Sequence, residues 1–315
     1  MNKKISIVIT FFNESGNINS LFEELQKVLD KDFSDWEHEL VMVDDGSVDN
    51  TWNELVEIKQ KNNKIKLIRL NRNYGQSIAM DAGFKNIDGD IVVTMDGDLQ
   101  NDHKDIKRLY DKLEKDSLDL VAGNRKQRKD PLSVRIITFV AKFLRKLLIK
   151  DGVEDSGCTL RIYRKKVTDN LNLRAEIHRY IVAISKINGF KVGEICVNHR
   201  VRENGVSKYN WKKSIKGFID LFYIWFIGKY ESRPLHFFGT VGIVNFIVGV
   251  IFFFVAFYQK IIMDVSLNRS GWLFLGIFLV QVGIIIFIFG IMIDIMIRNY
   301  YNNSYEKRYI IKDIL

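Results

Sequence analysis

Two stretches of this chain, Phe237 to Phe257 and Trp272 to Ile293, contain no Asp, Glu, Lys or Arg. Each exceeds the roughly 20 residues that a helix needs to cross the hydrocarbon core of a bilayer. With flanks they define two membrane helices, 233–258 and 271–297, and a tail over 298–315. Lys208, Lys212, Lys213, Lys216, Lys229 and Arg233 precede the first run, and Arg298, Lys307, Arg308 and Lys312 follow the second. The connecting loop has only Lys260 and Arg269. Basic residues collect on the cytoplasmic side of membrane spans, which predicts a multi-pass protein of the cytoplasmic (inner) membrane with both termini inside. Gly242 and Gly249, and Gly276, Gly283 and Gly290, recur every seven residues. Such stripes let backbones approach closely, within one subunit or between the subunits of a homo-oligomer. Asp294 and Arg298 are spaced for an i,i+4 ion pair.

The region before these spans reads differently. ISIVIT, ELVMVD, IKLIRL, DIVVTM and LDLVAG alternate with helical stretches at 17–29, 50–60, 76–86 and 104–115. That rhythm predicts βαβ units, hence an α/β, Rossmann-like, mostly parallel sheet covered on both faces. Ligands of such sheets bind at the carboxyl ends of the strands. Cys158 and Cys196 give neither a disulfide framework nor metal-ligand spacing. The opening MNKKISIVITFFN alternates like a strand and lacks a cleavage site, so it does not read as a signal peptide.

The net charge of +9 fits nucleic acid, anionic lipid or a phosphate-rich ligand. Its position favours lipid: Arg125, Lys126, Arg128, Lys129, Arg135, Lys142, Arg145 and Lys146 face a single acid, Asp130. Nucleic acid is disfavoured, because the cations track the membrane segments and form no groove-reading motif. Over 133–150 the apolar residues recur at three-to-four spacing opposite Arg135, Lys142, Arg145 and Lys146. Two readings fit this amphipathic helix, one lying in the membrane interface and one packed on the core. A second interface helix is predicted over 209–232, basic at its start and aromatic at Phe222, Tyr223, Trp225 and Phe226.

Candidate chemistry lies at two strand ends. DIVVTM runs into DGDLQ, so Asp96, Asp98 and Gln100 offer two carboxylates and an amide oxygen, a hard set suited to Mg²⁺ or Mn²⁺. A D-x-D triplet also occurs in ordinary acidic loops, and spacing alone leaves both readings open. At the end of ELVMVD stand Asp44 and Asp45, then a Gly turn and a Ser/Asp cluster. Helix capping explains the cluster, and an acid ahead of it can accept hydrogen bonds from a ribose or base. No G-x-G-x-x-G follows the first strand, so dinucleotide binding is disfavoured.

Taken in order, TFFNESGNI, VDDGSVDNT, NRNYGQSIAMDAGF, MDGDLQ, Asp155-Ser156-Gly157-Cys158 and RENGVSKY ahead of two membrane helices resemble the polyprenyl-phosphate glycosyltransferases. These include the dolichyl-phosphate mannose synthases and bactoprenol glucosyltransferases of the inverting GT-A class, glycosyltransferase family two. Two departures stand out: Asn101-Asp102-His103-Lys104 where the family often has Asn-Pro-Pro-Glu, and Phe12 where Tyr is common. Neither touches the candidate cation ligands. The resemblance implies a GT-A catalytic domain over 1–208, with Phe12, Glu14 and Asp45 bordering the nucleoside of a nucleotide sugar and Gly75 and Gln76 nearby. It implies a cation on Asp96, Asp98 and Gln100, the acceptor phosphate of a polyprenyl lipid facing Arg125 and Arg135, and a donor loop with Arg202, Ser207, Lys208 and Tyr209.

The expected reaction is one displacement with inversion, with UDP-glucose as the default donor and undecaprenyl phosphate as acceptor, for cell-envelope glycosylation. A phosphate monoester is already ionised near neutral pH, so no strong protein base is required, and His178 reads as structural. Two alternatives remain. A processive polysaccharide synthase would carry Gln-x-x-Arg-Trp and more membrane helices, neither seen here; a catalytically inactive scaffold is distinguished by the phenotype of Asp98→Ala.

Overall fold

The computed structural model describes residues 3–125, 145–146, 152–173, 177–200, 212–230, 233–302 and 311–314, with 212–220, 298 and 300–302 described by backbone alone. They fall into two units, Met1–Ile224 with Lys307–Leu315, and Trp225–Glu306.

The first unit begins with β1 (Lys4–Phe11), whose alternate side chains are buried on both faces. A strand apolar on both sides must be central and covered twice, and β1 lies between β2 (Glu37–Asp44) and β4 (Ile91–Asp96), parallel to both. Next to β2 comes β3 (Ile65–Leu70), also parallel. Helices α1 (Ile18–Asp32), α2 (Thr51–Lys61), α3 (Gln76–Phe84) and α4 (Asp105–Lys115) are the crossovers. In α1, Leu21, Leu25, Val28 and Leu29 form the buried stripe that packs against one sheet face. Ala79, Met80 and Ala82 of α3 join the core on the other face.

The sheet order is β7-β5-β6-β4-β1-β2-β3-β8. Two strands run against the rest: β6 (Arg161–Arg164), inserted between β4 and β5 (Leu120–Asn124), and β8 (Ile311–Ile314), on the outer edge of β3. At the opposite edge β7 (Val192–Cys196) is parallel to β5. Short helices α5 (Lys165–Asp169) and α6 (Ile181–Ile187) follow β6.

Helix α7 (Lys212–Tyr230) crosses from the first unit to the second. Leu221 and Ile224 are buried in the core layer that includes α3, while Phe222 and Tyr223 are about half exposed. The first unit runs on to Ile224, past the boundary expected at 208, because Leu221 and Ile224 pack in its core. Within 298–315, expected as a tail, the last long helix continues to Asn302 and residues 311–314 pair with β3 as β8. The four residues IKDI carry too short a pattern to separate an edge strand from a loop. The amphipathic stretch 133–150 lies outside the described residues save 145–146, and so does the side chain of Arg298.

The second unit is a hairpin of α8 (Pro234–Ile262) and α9 (Gly271–Asn302), both long and apolar enough to cross a membrane. The glycine stripes face each other. A Cβ on Gly242 would lie 2.7 Å from the Gly283 carbonyl oxygen, and one on Gly249 would lie 2.9 Å from that of Gly276. The small residues thus serve packing inside the hairpin. Trp225, Phe226, Tyr230, Phe237 and Phe238 cluster at its start with ring centroids 5.0 to 5.9 Å apart, mostly edge to face.

Candidate active site

Parallel register sets Phe11 beside Asp44 and Thr10 beside Asp96, so the ends of β1, β2 and β4 share one edge. The loop after β1 is bound to the loop after β2. Ser47 Oγ accepts the Asn13 N–H (3.0 Å), Asn13 Oδ1 accepts the Val48 N–H (3.0 Å), and Thr51 Oγ1 accepts the Glu14 N–H (2.9 Å). Phe12 projects from this wall, 38% exposed, while Asn17 Nδ2 donates to the Glu14 carboxylate.

Both acids at the β2 end are buried. Asp44 accepts the Ser47 N–H at 3.0 Å and lies 3.3 Å from Arg69 Nε. Asp45 takes the N–H of Tyr74 (2.8 Å) on one oxygen and that of Gly75 (2.9 Å) on the other. It therefore fixes the turn into α3, where Gly75 holds a positive φ of 93° that L side chains adopt only with strain.

The β4 end is built differently. Gln76 Nε2 donates to Asp96 Oδ1 (2.5 Å) and Thr159 Oγ1 to Asp96 Oδ2 (2.7 Å). Gln76, expected near the nucleoside, thus holds the first acid of the candidate cation set. Burial and the neighbouring Asp98 carboxylate push Asp96 up to about 6, against the opposing pull of Thr159, Arg125 and Arg161. Asp96, Asp98 and Gln100 are all half-buried. Gly97 between the acids is required by packing, since a Cβ there would lie 2.3 Å from the Phe11 ring.

A carboxylate whose proton affinity is raised by burial and a neighbouring carboxylate fits a cation. Among the described residues no three or more His, Cys, Asp and Glu converge on a metal site. Two carboxylates and an amide oxygen are hard ligands of the kind Mg²⁺ or Mn²⁺ takes, with phosphate oxygens able to fill further positions.

Arg125, expected to face an acceptor phosphate, forms a two-pronged pair with Asp155, Nε to Oδ2 at 2.7 Å and Nη2 to Oδ1 at 3.1 Å. Burial pushes the guanidinium down, but the Asp155 hydrogen bond and charge outweigh it and hold Arg125 above its ordinary value. The same pair keeps Asp155 below the usual carboxylate range despite its burial. Glu194 on β7 steadies this loop by accepting the Asp155 N–H at 2.8 Å. Arg125 and Asp96 lie near enough for their charges to interact.

Thr159 and Arg161 escaped the sequence reading. Arg161 is fully buried on β6, donating to the carbonyls of His178 and Ser156, both at 2.8 Å. An arginine in a strand gives no signal of this, because its partners are backbone carbonyls, which carry no side-chain signature. His178 is buried beside Ser77 Oγ (2.9 Å) and pushed down to about 3 by burial, Arg179 and Arg161. A ring so placed is neutral near pH 7. Burial pushes Cys158 up to about 11, so it offers no thiolate.

Beyond the tip, the Arg200 N–H donates to the Gln100 carbonyl (2.8 Å) and its guanidinium bridges Glu24 and Asp102. The residues departing from the family pattern thereby tether the segment that precedes 201–211. Arg135, Arg202, Ser207, Lys208 and Tyr209 lie outside the described residues.

Residues 6–171 match the model of glycosyl transferase family 2. The whole chain is similar to a dodecaprenyl-phosphate galacturonate synthase from Rhizobium johnstonii, 33% identical over 99% of this chain and 93% of the relative. Among solved structures, glucosyl-3-phosphoglycerate synthase from Mycobacterium tuberculosis with Mn²⁺, UDP and glucosyl-3-phosphoglycerate superposes with a TM-score of 0.55 at 16% identity, over 72% of this chain and 80% of that one. Its complex with Mn²⁺ and UDP-glucose gives 0.56 at 16% identity, over 72% and 79%. The likeness establishes the GT-A fold.

Proposed function

The chain belongs to glycosyl transferase family 2, and from that premise we propose that it moves a sugar from a nucleotide sugar onto a polyprenyl phosphate, with Asp96, Asp98 and Gln100 as the cation ligands. The observation that carries this reading is the acid pair at the β4 end, gripped from Gln76 and Thr159 and left short of positive charge. A divalent cation bound there would act as Lewis acid toward the leaving diphosphate. Asp45 and Phe12 border the nucleoside, with Glu14 and Gly75 beside them. Arg125 serves the acceptor phosphate while Asp155 holds its Nε and Nη2; a guanidinium so fixed keeps its fork oriented. Arg135 shares the acceptor role, and Arg202, Ser207, Lys208 and Tyr209 close on the donor. His178 is neutral and hydrogen-bonded, in keeping with an acceptor that is already ionised.

The two apolar helices, the end-to-end similarity to a polyprenyl-phosphate sugar synthase and the basic flanks support an inner-membrane protein with a cytoplasmic catalytic domain. Pairing of β8 with β3 supports an even number of crossings, since the chain returns to the sheet that it left. UDP-glucose is the donor that the motifs favour; the galacturonate of the relative from Rhizobium johnstonii makes a UDP-hexuronate the second reading. Membranes containing the protein, given undecaprenyl phosphate, Mn²⁺ or Mg²⁺ and a panel of labelled nucleotide sugars, should yield a single-sugar phospholipid. A long polymer in its place would select the synthase alternative. Lipid labelling that persists undiminished in Asp98→Ala would overturn the assignment of the acid pair.

A further inference from the structure

We propose that two copies of this chain pair through the outer face of α9, with Gln281 of one copy hydrogen-bonded to the partner's Gln281. The inference rests on the reading of α8 and α9 as a membrane hairpin. Gln281 lies within a few residues of the middle of the uncharged run of α9, and it is exposed on the hairpin surface. Other polar groups of the spans are satisfied by their own helix: Asn245 Nδ2 donates to the Val241 carbonyl at 2.9 Å and Thr240 Oγ1 to the His236 carbonyl at 2.6 Å. Among the described residues the Gln281 amide has no such partner. An amide facing hydrocarbon loses its hydrogen bonds to water without replacement, which is why polar side chains in spans turn toward other helices.

The residues around it form a seam. Phe274, Phe278, Gln281, Ile285, Ile288 and Met292 are spaced four, three, four, three and four apart, and the five apolar ones are each 47 to 61% exposed. That alternation is the heptad seam of a left-handed helix pair, and one polar residue within such a seam sets register and partner number. The glycine stripes do not compete for this role, because their close contacts lie inside the hairpin.

A second copy is the occupant that the chemistry selects. The amide carries both donor and acceptor, and a two-fold axis brings each surface patch against itself. Two reciprocal hydrogen bonds then form at equal depth, without requiring another protein to carry a matching group there.

The test uses the full chain in native membranes. Gln281→Cys and Ile288→Cys should form self-disulfides under mild oxidation, while Phe254→Cys on α8, and the wild type with Cys158 and Cys196, should not. In lipid bilayers Gln281→Leu should weaken dimerisation on the order of tenfold, and Gln281→Asn should largely preserve it. An alkaline wash first establishes that the chain is embedded. Release by the wash would overturn this proposal together with the membrane reading. Retention with no crosslink at position 281, with capture of a different protein there, or with undiminished dimerisation of Gln281→Leu would overturn the seam alone.

Discussion

The ends of β2 and β4 both carry paired acids, and the fold uses the two pairs in opposite ways. At β2, Asp44 meets a backbone N–H and Arg69, and Asp45 meets the N–H groups of Tyr74 and Gly75. At β4, two side-chain donors reach Asp96, yet burial and Asp98 still raise it to about 6. Acid pairs after a strand are therefore not functional by sequence alone. Donors alone do not separate the pairs, since both oxygens of Asp45 and both of Asp96 accept one. The difference lies in charge: Asp44 faces Arg69 and Asp45 is spent on the turn into α3, whereas Asp96 faces a second carboxylate, an arrangement suited to something that arrives with positive charge.

The most severe way to break this contrast is Asp98→Asn, which preserves size and removes one charge. Transfer should fall by roughly 10³-fold or more, the scale of several kcal/mol of lost Lewis-acid stabilisation. The thermal midpoint should hold or rise, since a repulsive neighbour has been neutralised. If the variant unfolds instead, the β4 acids are structural and the contrast collapses.

Asp45→Asn should give the opposite balance. An amide cannot accept from both the Tyr74 and Gly75 N–H groups, and its NH₂ must confront one of them. We expect a stability loss of about 1–3 kcal/mol, the scale of an unsatisfied buried donor. Catalysis should decline less than in Asp98→Asn, mainly through a raised KM. Thermal melts beside donor-saturation kinetics measure both, and an unchanged melting temperature would remove the loop-shaping role.

Cation addition sharpens the comparison further. An acid whose folded pKa is raised takes up a proton on folding between its unfolded value of 3.8 and about 6. The metal-free contribution of Asp96 is therefore favourable at low pH and is lost as pH rises through that window. Mn²⁺ replaces the missing proton, so the gain in melting temperature should be several degrees at about pH 7.5 and much smaller near pH 5. Equal gains at both would mean that the ion binds elsewhere.

These experiments also mark what was legible beforehand. Repeating β-branched runs define the first five strands and their crossovers, because burial on both faces leaves few other solutions, and the uncharged runs define the hairpin through length. The antiparallel strands escaped: β6 is only Arg161–Arg164 and β8 only Ile311–Ile314, and an order that inserts β6 between β4 and β5 is decided by distant pairing. In the site, Asp96 and Asp98 were readable as a triplet at a strand end. Thr159 and Arg161 were not, and neither were the partners of Gln76 and Arg125, because Gln76, Thr159 and Arg125 meet side chains 20 to 63 residues away and Arg161 meets backbone carbonyls.

The smallest expected effect concerns His178, which like Asp45 is hydrogen-bonded within the protein. Its ring takes Ser77, its backbone carbonyl takes Arg161, and its pKa near 3 leaves it neutral at working pH. His178→Asn keeps a polar atom near Nδ1 and the carbonyl for Arg161, so transfer should stay within about twofold and stability should fall by about 1 kcal/mol. The sign of its pH dependence separates this from catalysis. A histidine lowered on folding contributes stability above its unfolded value of 6.5 and loses it as pH falls toward 3. The variant should then unfold less steeply with acid than the wild type, while the pH profile of kcat remains unaltered. A displaced kinetic profile would make His178 a proton-transfer group and move it to the functional side of the contrast.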